Sequence, residues 1–367
     1  MKRGNGEILF PVSPFLILWR FGMGRDVGFG VVGCGVVAGY HINGILETPG
    51  ARLAAVSDVV EGRAREFGER HRVAWTTDYH DLLKREDIDV INVCTPNGMR
   101  LPLAEEAAQA GKHLVIEKPI AISLKEADRI IATCARMGVH LMCIFQLRCG
   151  RAAMALRKAI QEGRLGRIVL ADAAIKWFRP QAYYESAAWR GTWAQEGGGA
   201  LMTQGIHTVD LLQWMMGPVR AVSARMATLV HRIEVEDTIV ATLTYATGAL
   251  GVIEATTAAH PGLPAKIEIC GDRGTAALEA DQITTWQVEG MERPVDMGGG
   301  SEVGKAASDS KTFGAEGHRA QITEMVEVVR GGKRPTVDGP EGRKAVELVL
   351  AIYESARTGR TVELPLK

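Results

Sequence analysis

The sequence predicts an α/β Rossmann domain with a doubly wound parallel sheet, followed by an α+β domain with a mostly antiparallel open sheet. Three observations lead there. From Val27 to about Gln146, short apolar runs alternate with helical stretches, the pattern of a parallel sheet covered on both faces. The first run, "VGFGVVGCG", ends in a glycine-rich turn that opens a helix. Beyond Gln146 the strands become short and closely spaced. Several alternate apolar and polar residues, as in Ile239, Ala241, Leu243 and Tyr245, which is the period of a half-buried antiparallel sheet.

The elements follow in order. "ARLAAVSD" is the second strand, and "EGRAREFGERH" a charged, solvent-facing helix. "DVINVCTP" is a buried strand stopped by Pro96. "LPLAEEAAQAG" is a helix closed by Gly111, and "HLVIEKP" the next strand. Ser123 with Glu126 three residues later forms a capping box for the helix that follows. "HLMCIFQ" completes the sheet. In the second half a helix at 150–162 precedes the strand "RIVLADAAIKW". Six strand-like segments come next, ending in "ITTWQV". "MGGGSEVGKAASDS" reads as a loop, and helices near 316–330 and 341–358 close the chain. The expected division is an extension over 1–22, a Rossmann domain over 23–147 and an α+β domain over 148–367.

Composition excludes several classes. Lys+Arg and Asp+Glu balance at 43 each, which argues against a nucleic-acid binder held by bulk charge. The six cysteines form no C-x-x-C and no zinc spacing, so reduced thiols in a cytoplasmic protein are expected. The nine histidines include no H-x-x-x-H, and no metal site is expected. "MKRGNGEILFPVSPFLILWRFG" has a basic start and an apolar middle. Pro11 and Pro14 interrupt the run, no small-residue cleavage site follows, and it is too short to span a bilayer. Residues 1–22 are therefore read as a disordered or non-native extension, and no membrane partner is expected.

Gly33-x-Gly35-x-x-Ala38 follows the first strand and opens a helix through Val36 and Val37. Such glycines permit a tight turn and a close approach to a pyrophosphate, which the helix N-terminus attracts. Asp58 ends the second strand at the distance where an acid holds ribose hydroxyls. Its carboxylate repels a 2′-phosphate and so favours NAD over NADP, an effect that nearby Arg63 could offset. Thr95-Pro96-Asn97 and Glu117-Lys118-Pro119 end successive parallel strands, at the edge where open sheets bind ligands. Charges at that edge need accurate aim, and a cis Lys118–Pro119 bond would supply it. "GGGALMTQGIHTVDLLQW" places Thr203, His207 and Asp210 on neighbouring turns of one predicted helix face.

In combination, the Rossmann start, "EKP", the antiparallel second half and "GGGALMTQGIHTVDLLQW" resemble the Gfo/Idh/MocA oxidoreductase family. The resemblance runs from about Val27 to the closing "GRTVELPL". It implies Lys118 and His207 as the catalytic pair, with His207 the first choice as acid/base. It implies a nicotinamide near Thr95, Pro96 and Asn97. Gly33, Gly35, Val36, Val37, Ala38, Asp58, Glu117 and Lys118 complete the expected cofactor set. The second domain would supply the substrate pocket and, through its sheet, a homodimer or homotetramer interface.

"WFRPQAYYESAAWRGTWAQEGGGALMTQGIH" is similar to the UDP-N-acetylglucosaminuronate 3-dehydrogenase branch. There Tyr183, Tyr184, Trp189, Arg190 and Trp193 would line the pocket entrance. The expected substrate-binding set is Lys118, Arg148, Tyr184, Trp189, Arg190, Thr203, Gln204 and His207. Two positions depart from the family pattern: Thr203 stands where many members carry Asp, and Arg100 where many carry His. The implied activity is NAD-dependent hydride transfer between nicotinamide and a secondary alcohol or ketone of a sugar or sugar acid, nucleotide-linked or free. Inositol or aldose dehydrogenation is the enzyme alternative. A non-catalytic dinucleotide-binding regulator is the other.

Overall fold

The computed structural model describes residues 24–294 and 315–366. The expected extension over 1–22 and the whole of the expected loop over 297–310 lie outside the described residues. The first sheet has six parallel strands: β1 (Val27–Val32), β2 (Ala51–Ser57), β3 (Ala74–Thr76), β4 (Val90–Val93), β5 (His113–Ile116) and β6 (Leu141–Cys143). They lie in the order β3-β2-β1-β4-β5-β6. The order reverses between β1 and β4, and a crevice opens there at the carboxyl ends of the strands. Helices α1 (Val36–Leu46), α2 (Glu61–His71), α3 (Arg100–Gln109) and α4 (Leu124–Met137) connect the strands. Strand β1 is buried along its whole length because helices cover both faces. Helix α4 starts as the sequence predicts: Ser123 Oγ accepts from Glu126 N at 3.3 Å.

The second sheet has eight strands. It combines β7 (Ile168–Lys176), β8 (Val219–Ala227), β9 (Thr238–Tyr245), β10 (Leu250–Thr256), β11 (Lys266–Gly271), β12 (Gly274–Glu279), β13 (Gln282–Val288) and β14 (Val362–Glu363). Their order is β13-β12-β11-β7-β10-β9-β8-β14. Among the described residues of this sheet only β7 and β10 pair in parallel; every other pairing is antiparallel. One face of the sheet buries Ala171, Ala173, Ile175, Ala241 and Leu243. Helices α5 (Arg151–Gln161) and α6 (Ile206–Met216) lie on the side of those residues. The opposite face carries the other half of each strand, with Leu170, Val240 and Leu250 exposed.

Sequence position and packing diverge at the C-terminus. Helix α7 (Ala315–Val329) packs on α1. Ile322, Met325 and Val326 share a buried cluster with Phe29 and Val31 of β1. Residues 315–329 thus cover the first sheet, although in sequence they follow the second. Helix α8 (Gly339–Thr358) lies against β8 and also touches α4 and α6, so it wedges between the two sheets. The apolar face of α7 is buried against α1 and β1 rather than against the second sheet that precedes it in sequence.

Candidate active site

The glycine turn is built for close approach. Gly33 has φ +96°, and a Cβ there would lie 2.7 Å from the Cys94 carbonyl oxygen. A Cβ on Gly35 would meet nothing within 4 Å, so that side of the turn faces open space. The N-terminus of α1 carries no side-chain cap. Its N–H groups are left for an anion, which fits a dinucleotide pyrophosphate. Asp58 is buried beside this turn. Its Oδ2 accepts from Cys34 N and its Oδ1 from Val60 N, each at 2.8 Å. A carboxylate oxygen has further lone pairs, so these bonds aim the group without exhausting it.

At the ends of β4 and β5, Arg100 ties the two expected loops together. Its buried guanidinium donates to Thr95 O at 3.2 and 3.1 Å, to Glu117 O at 2.5 Å and to Pro119 O. Arg100 is therefore a clamp between the Thr95–Asn97 and Glu117–Pro119 loops. Asn97 is buried and donates to Glu196 O at 2.8 Å. The Lys118–Pro119 bond is cis.

Glu117 points inward. Burial opposes its charge, but hydrogen bonds from His318 and His41 hold its carboxylate well below the usual range. His41 Nε2 lies 3.0 Å and His318 Nε2 3.4 Å from Glu117 Oε1. Lys118 N donates to Glu117 Oε2 at 3.1 Å. Asn92 Nδ2 donates to His41 Nδ1 at 2.8 Å, which leaves the Nε2–H of His41 for Glu117. These donors satisfy the carboxylate, although His41, Glu117 and His318 also bring three possible metal-ligand atoms together. Sequence reading missed both histidines because they lie 76 and 201 residues from Glu117.

Lys118 turns across the crevice. Its Nζ donates to the Thr203 carbonyl oxygen at 2.9 Å. Burial brings its pKa down to about 8, with Glu117 and Glu196 opposing the fall and Arg100 adding to it. His207 is buried near the same point, its ring edge-on to Phe145 with centroids 5.9 Å apart. Burial, then the Lys118 charge, holds its imidazole well below the usual range. A cavity of about 50 Å³ lies beside His207, walled by Gln146, Leu147, Trp177, Thr208 and Leu211 among others.

The backbone of this segment departs from the predicted helix. Residues Ala200–Gly205 form a π-helical turn, and α6 begins only at Ile206. π-helical turns of this kind recur at functional sites. The wider turn breaks the single face expected for Thr203, His207 and Asp210. Thr203 Oγ1 donates to Gly198 O at 3.1 Å. Asp210 instead faces Arg148, whose Nε and Nη2 donate to it at 2.8 and 2.6 Å.

Arg148, expected as a substrate ligand, is engaged inside the fold. It is buried, bidentate to Asp210, and gives Nη1 to Glu341 at 3.2 Å. Its guanidinium also lies over Phe145 and Trp214. Its charge is spent inside the fold.

The residues of the expected substrate loop pair with one another and with neighbouring segments. Gln204 accepts from Arg179 Nε and Nη2 at 3.2 and 3.0 Å and donates to Tyr183 Oη at 2.8 Å. The buried Tyr184 hydroxyl meets Thr257 Oγ1 at 2.8 Å. Arg190 is half-buried, its guanidinium 4.1 Å from the Tyr183 ring centre and 4.6 Å from that of Trp189. Arg179, buried to 1% exposure, was not singled out by sequence.

Two family descriptions match the chain. One is an oxidoreductase family with an NAD-binding Rossmann fold, over residues 27–145. The other is the GFO/IDH/MocA C-terminal domain, over 153–277. The chain belongs to the Gfo/Idh/MocA family. Among solved structures it is similar to the WlbA dehydrogenase from Bordetella pertussis in complex with NADH and UDP-GlcNAcA. That match has 35% identity, covers 94% of this chain and 99% of the other, and has a TM-score of 0.85. An uncharacterized oxidoreductase of Bacillus subtilis, YrbE, is 30% identical over 72% of this chain and 77% of its own length. The myo-inositol 2-dehydrogenase of Thermotoga maritima is 29% identical over 91% and 98%. As a Gfo/Idh/MocA member the chain is an NAD-binding oxidoreductase of CH–OH groups. Among the described residues no helix is long and apolar enough to cross a membrane.

Proposed function

We propose that the protein oxidises a secondary alcohol of a nucleotide-linked sugar acid with NAD, or reduces the matching ketone with NADH. The observation that carries the reading is the meeting of Lys118 with Thr203 at the mouth of the Rossmann crevice, with His207 buried beside it. The likeness to the WlbA dehydrogenase and the arginine-aromatic loop at 183–193 support the substrate class. Arg190 presents a guanidinium suited to a carboxylate or phosphate. Tyr183 and Trp189 offer faces for sugar C–H surfaces.

The bound nicotinamide supplies the hydride acceptor or donor. Gly33, Gly35 and the Val36–Ala38 helix start would hold the pyrophosphate, and Asp58 would hold the adenosine ribose. The Thr95–Asn97 loop and Glu117 would border the nicotinamide end. In the oxidation direction the substrate hydroxyl loses its proton as the carbonyl forms. With a pKa of about 8, Lys118 is the proton carrier nearest to working pH. His207, held neutral by burial and the Lys118 charge, hydrogen-bonds the same oxygen. This reverses the roles expected from ordinary pKa values. Thr203 and Gln204 complete the pocket floor, while Tyr184 and Trp189 stand on its wall.

The uncovered sheet face, with Leu170, Val240 and Leu250 exposed, is the surface through which copies of the chain pair. The protein works in the cytoplasm, consistent with six free cysteines. The test is a panel of UDP-linked sugar acids, free aldoses and cyclitols, followed by NADH absorbance. Turnover of cyclitols or aldoses alone would replace the substrate class. No turnover with tight NAD binding would favour a regulatory role.

A further inference from the structure

Glu196 lies immediately before the three glycines that lead into the π-turn. It is 1% exposed. Its carboxyl accepts from Gly191 N, at the base of the arginine-aromatic loop. The same carboxyl faces the Thr203 hydroxyl, which donates to Gly198 O at 3.1 Å. Its main-chain oxygen accepts from Asn97, and Gln195 O accepts from Gly98 N at 2.8 Å. The fit is tight: a Cβ on Gly98 would lie 2.9 Å from Ala194 O. One residue therefore touches the cofactor-side loop, the substrate loop and the turn whose carbonyl receives Lys118.

We propose that Glu196 is a further positioning residue of the reaction: it braces the substrate loop against Thr203 and supplies a negative charge that favours the ammonium form of Lys118. The proposal rests on the reading of Lys118 as proton carrier. The acid comes from seven residues before Thr203, whose hydroxyl faces it. The arrangement is self-consistent. The Thr203 hydroxyl has one proton and can give it either to Gly198 O or to the carboxylate. With Glu196 ionised the proton turns to the carboxylate; with Glu196 protonated it turns to Gly198 O, and the carboxylic acid donates to the hydroxyl.

The charged and titratable groups around Glu196 are Lys118, Arg190, Glu236, Tyr183, Tyr184 and Tyr353. Burial, reinforced by Glu236, raises the Glu196 pKa to about 7 against hydrogen bonds from Gly191 and Thr203 and the charge of Arg190. The carboxylate is thus mostly ionised where Lys118 titrates, near 8. In oxidation the substrate O–H bond breaks, the proton forms an N–H bond on neutral Lys118, and the hydride leaves to nicotinamide. The Glu196 charge stabilises the ammonium that results.

The experiment compares wild type, Glu196→Gln, Glu196→Ala and Lys118→Arg in full pH profiles of kcat for alcohol oxidation. Glu196→Gln keeps an acceptor for Gly191 N–H but loses the charge. Its KM and NAD affinity should stay near wild type, while the ascending limb moves to lower pH by about half a unit to one unit. Below that limb the variant should outrun wild type. Glu196→Ala should show the same shift together with a raised KM, because the loop brace is lost. A Glu196→Gln limb that coincides with wild type would overturn the proposal and leave Glu196 a structural brace. If the limb instead persists in Lys118→Arg, it never belonged to Lys118, and the proton-carrier reading fails first.

Discussion

Lys118 Nζ and the Thr203 carbonyl oxygen, 2.9 Å apart, join the end of β5 in the first sheet to the π-turn ahead of α6 in the second domain. Neither partner has a complete site without the other. The bond orients the ammonium without neutralising it, since a carbonyl accepts a hydrogen bond but carries no full charge.

Removing Lys118 should therefore cost chemistry more than binding. Lys118→Ala should lower kcat by about 10²–10⁴, the scale of a positioned proton-transfer group, with little change in NAD affinity by fluorescence titration. In wild type, alcohol oxidation needs the neutral amine, so kcat should rise with pH through about 8. The buried His207 is neutral over that range and should add no limb near its usual value. A limb near pH 6.5 that vanishes in His207→Ala would return the proton-carrier role to histidine.

Arg148 should behave as a structural ion pair. Arg148→Ala leaves the Asp210 carboxyl buried without its bidentate partner. Breaking such a pair typically costs about 3–5 kcal/mol, so Tm should fall clearly while KM for the substrate holds. Arg148→Met combined with Asp210→Leu should recover much of the Tm. A large rise in KM at constant Tm would make Arg148 a substrate ligand after all.

Asp58 should govern cofactor choice. Its carboxylate is aimed by Cys34 N and Val60 N. Asp58→Ala should weaken NAD and narrow its advantage over NADP, because the repulsion of a 2′-phosphate is gone. Titration of both nucleotides checks this. An unchanged NAD/NADP ratio would show that Asp58 serves only to fix the glycine turn.

His113 should make the fold sensitive to acid. Burial, with a contribution from His140, lowers its pKa to about 4. The unfolded chain then binds a proton near pH 6.5 that the folded chain refuses until about 4, so stability falls as pH drops through that window. A 2.5-unit gap corresponds to about 3 kcal/mol at most. His113→Asn should flatten the decline in denaturation midpoint between pH 6.5 and 4. An equal decline in the variant would assign the effect to other groups.

Much of this architecture is written in local pattern. Alternating apolar runs and helices specify the first sheet, because a strand buried on both faces must be apolar throughout. The glycines at 33 and 35, and Asp58 at the second strand's end, specify the turn after β1 through short-range stereochemistry. The chain positions of Lys118 and His207 were likewise legible, since each belongs to a contiguous motif.

Tertiary structure decided what those residues can do. A pKa depends on every charge and dipole around a group, and those come from distant segments: Arg100 and Glu196 beside Lys118, His318 beside Glu117, Asp210 beside Arg148. Spacing gave Thr203, His207 and Asp210 one shared face, but a π-turn rotated Thr203 toward Lys118, and Asp210 was taken by Arg148. Helix α7 shows the same division. Its sequence predicts a helix, and only the packed molecule shows that its apolar face covers the first sheet. Local sequence sets backbone preference and amphipathic period, because both act over a few residues. Partnership is set by which surfaces bury each other, and that is a property of the whole chain folded at once.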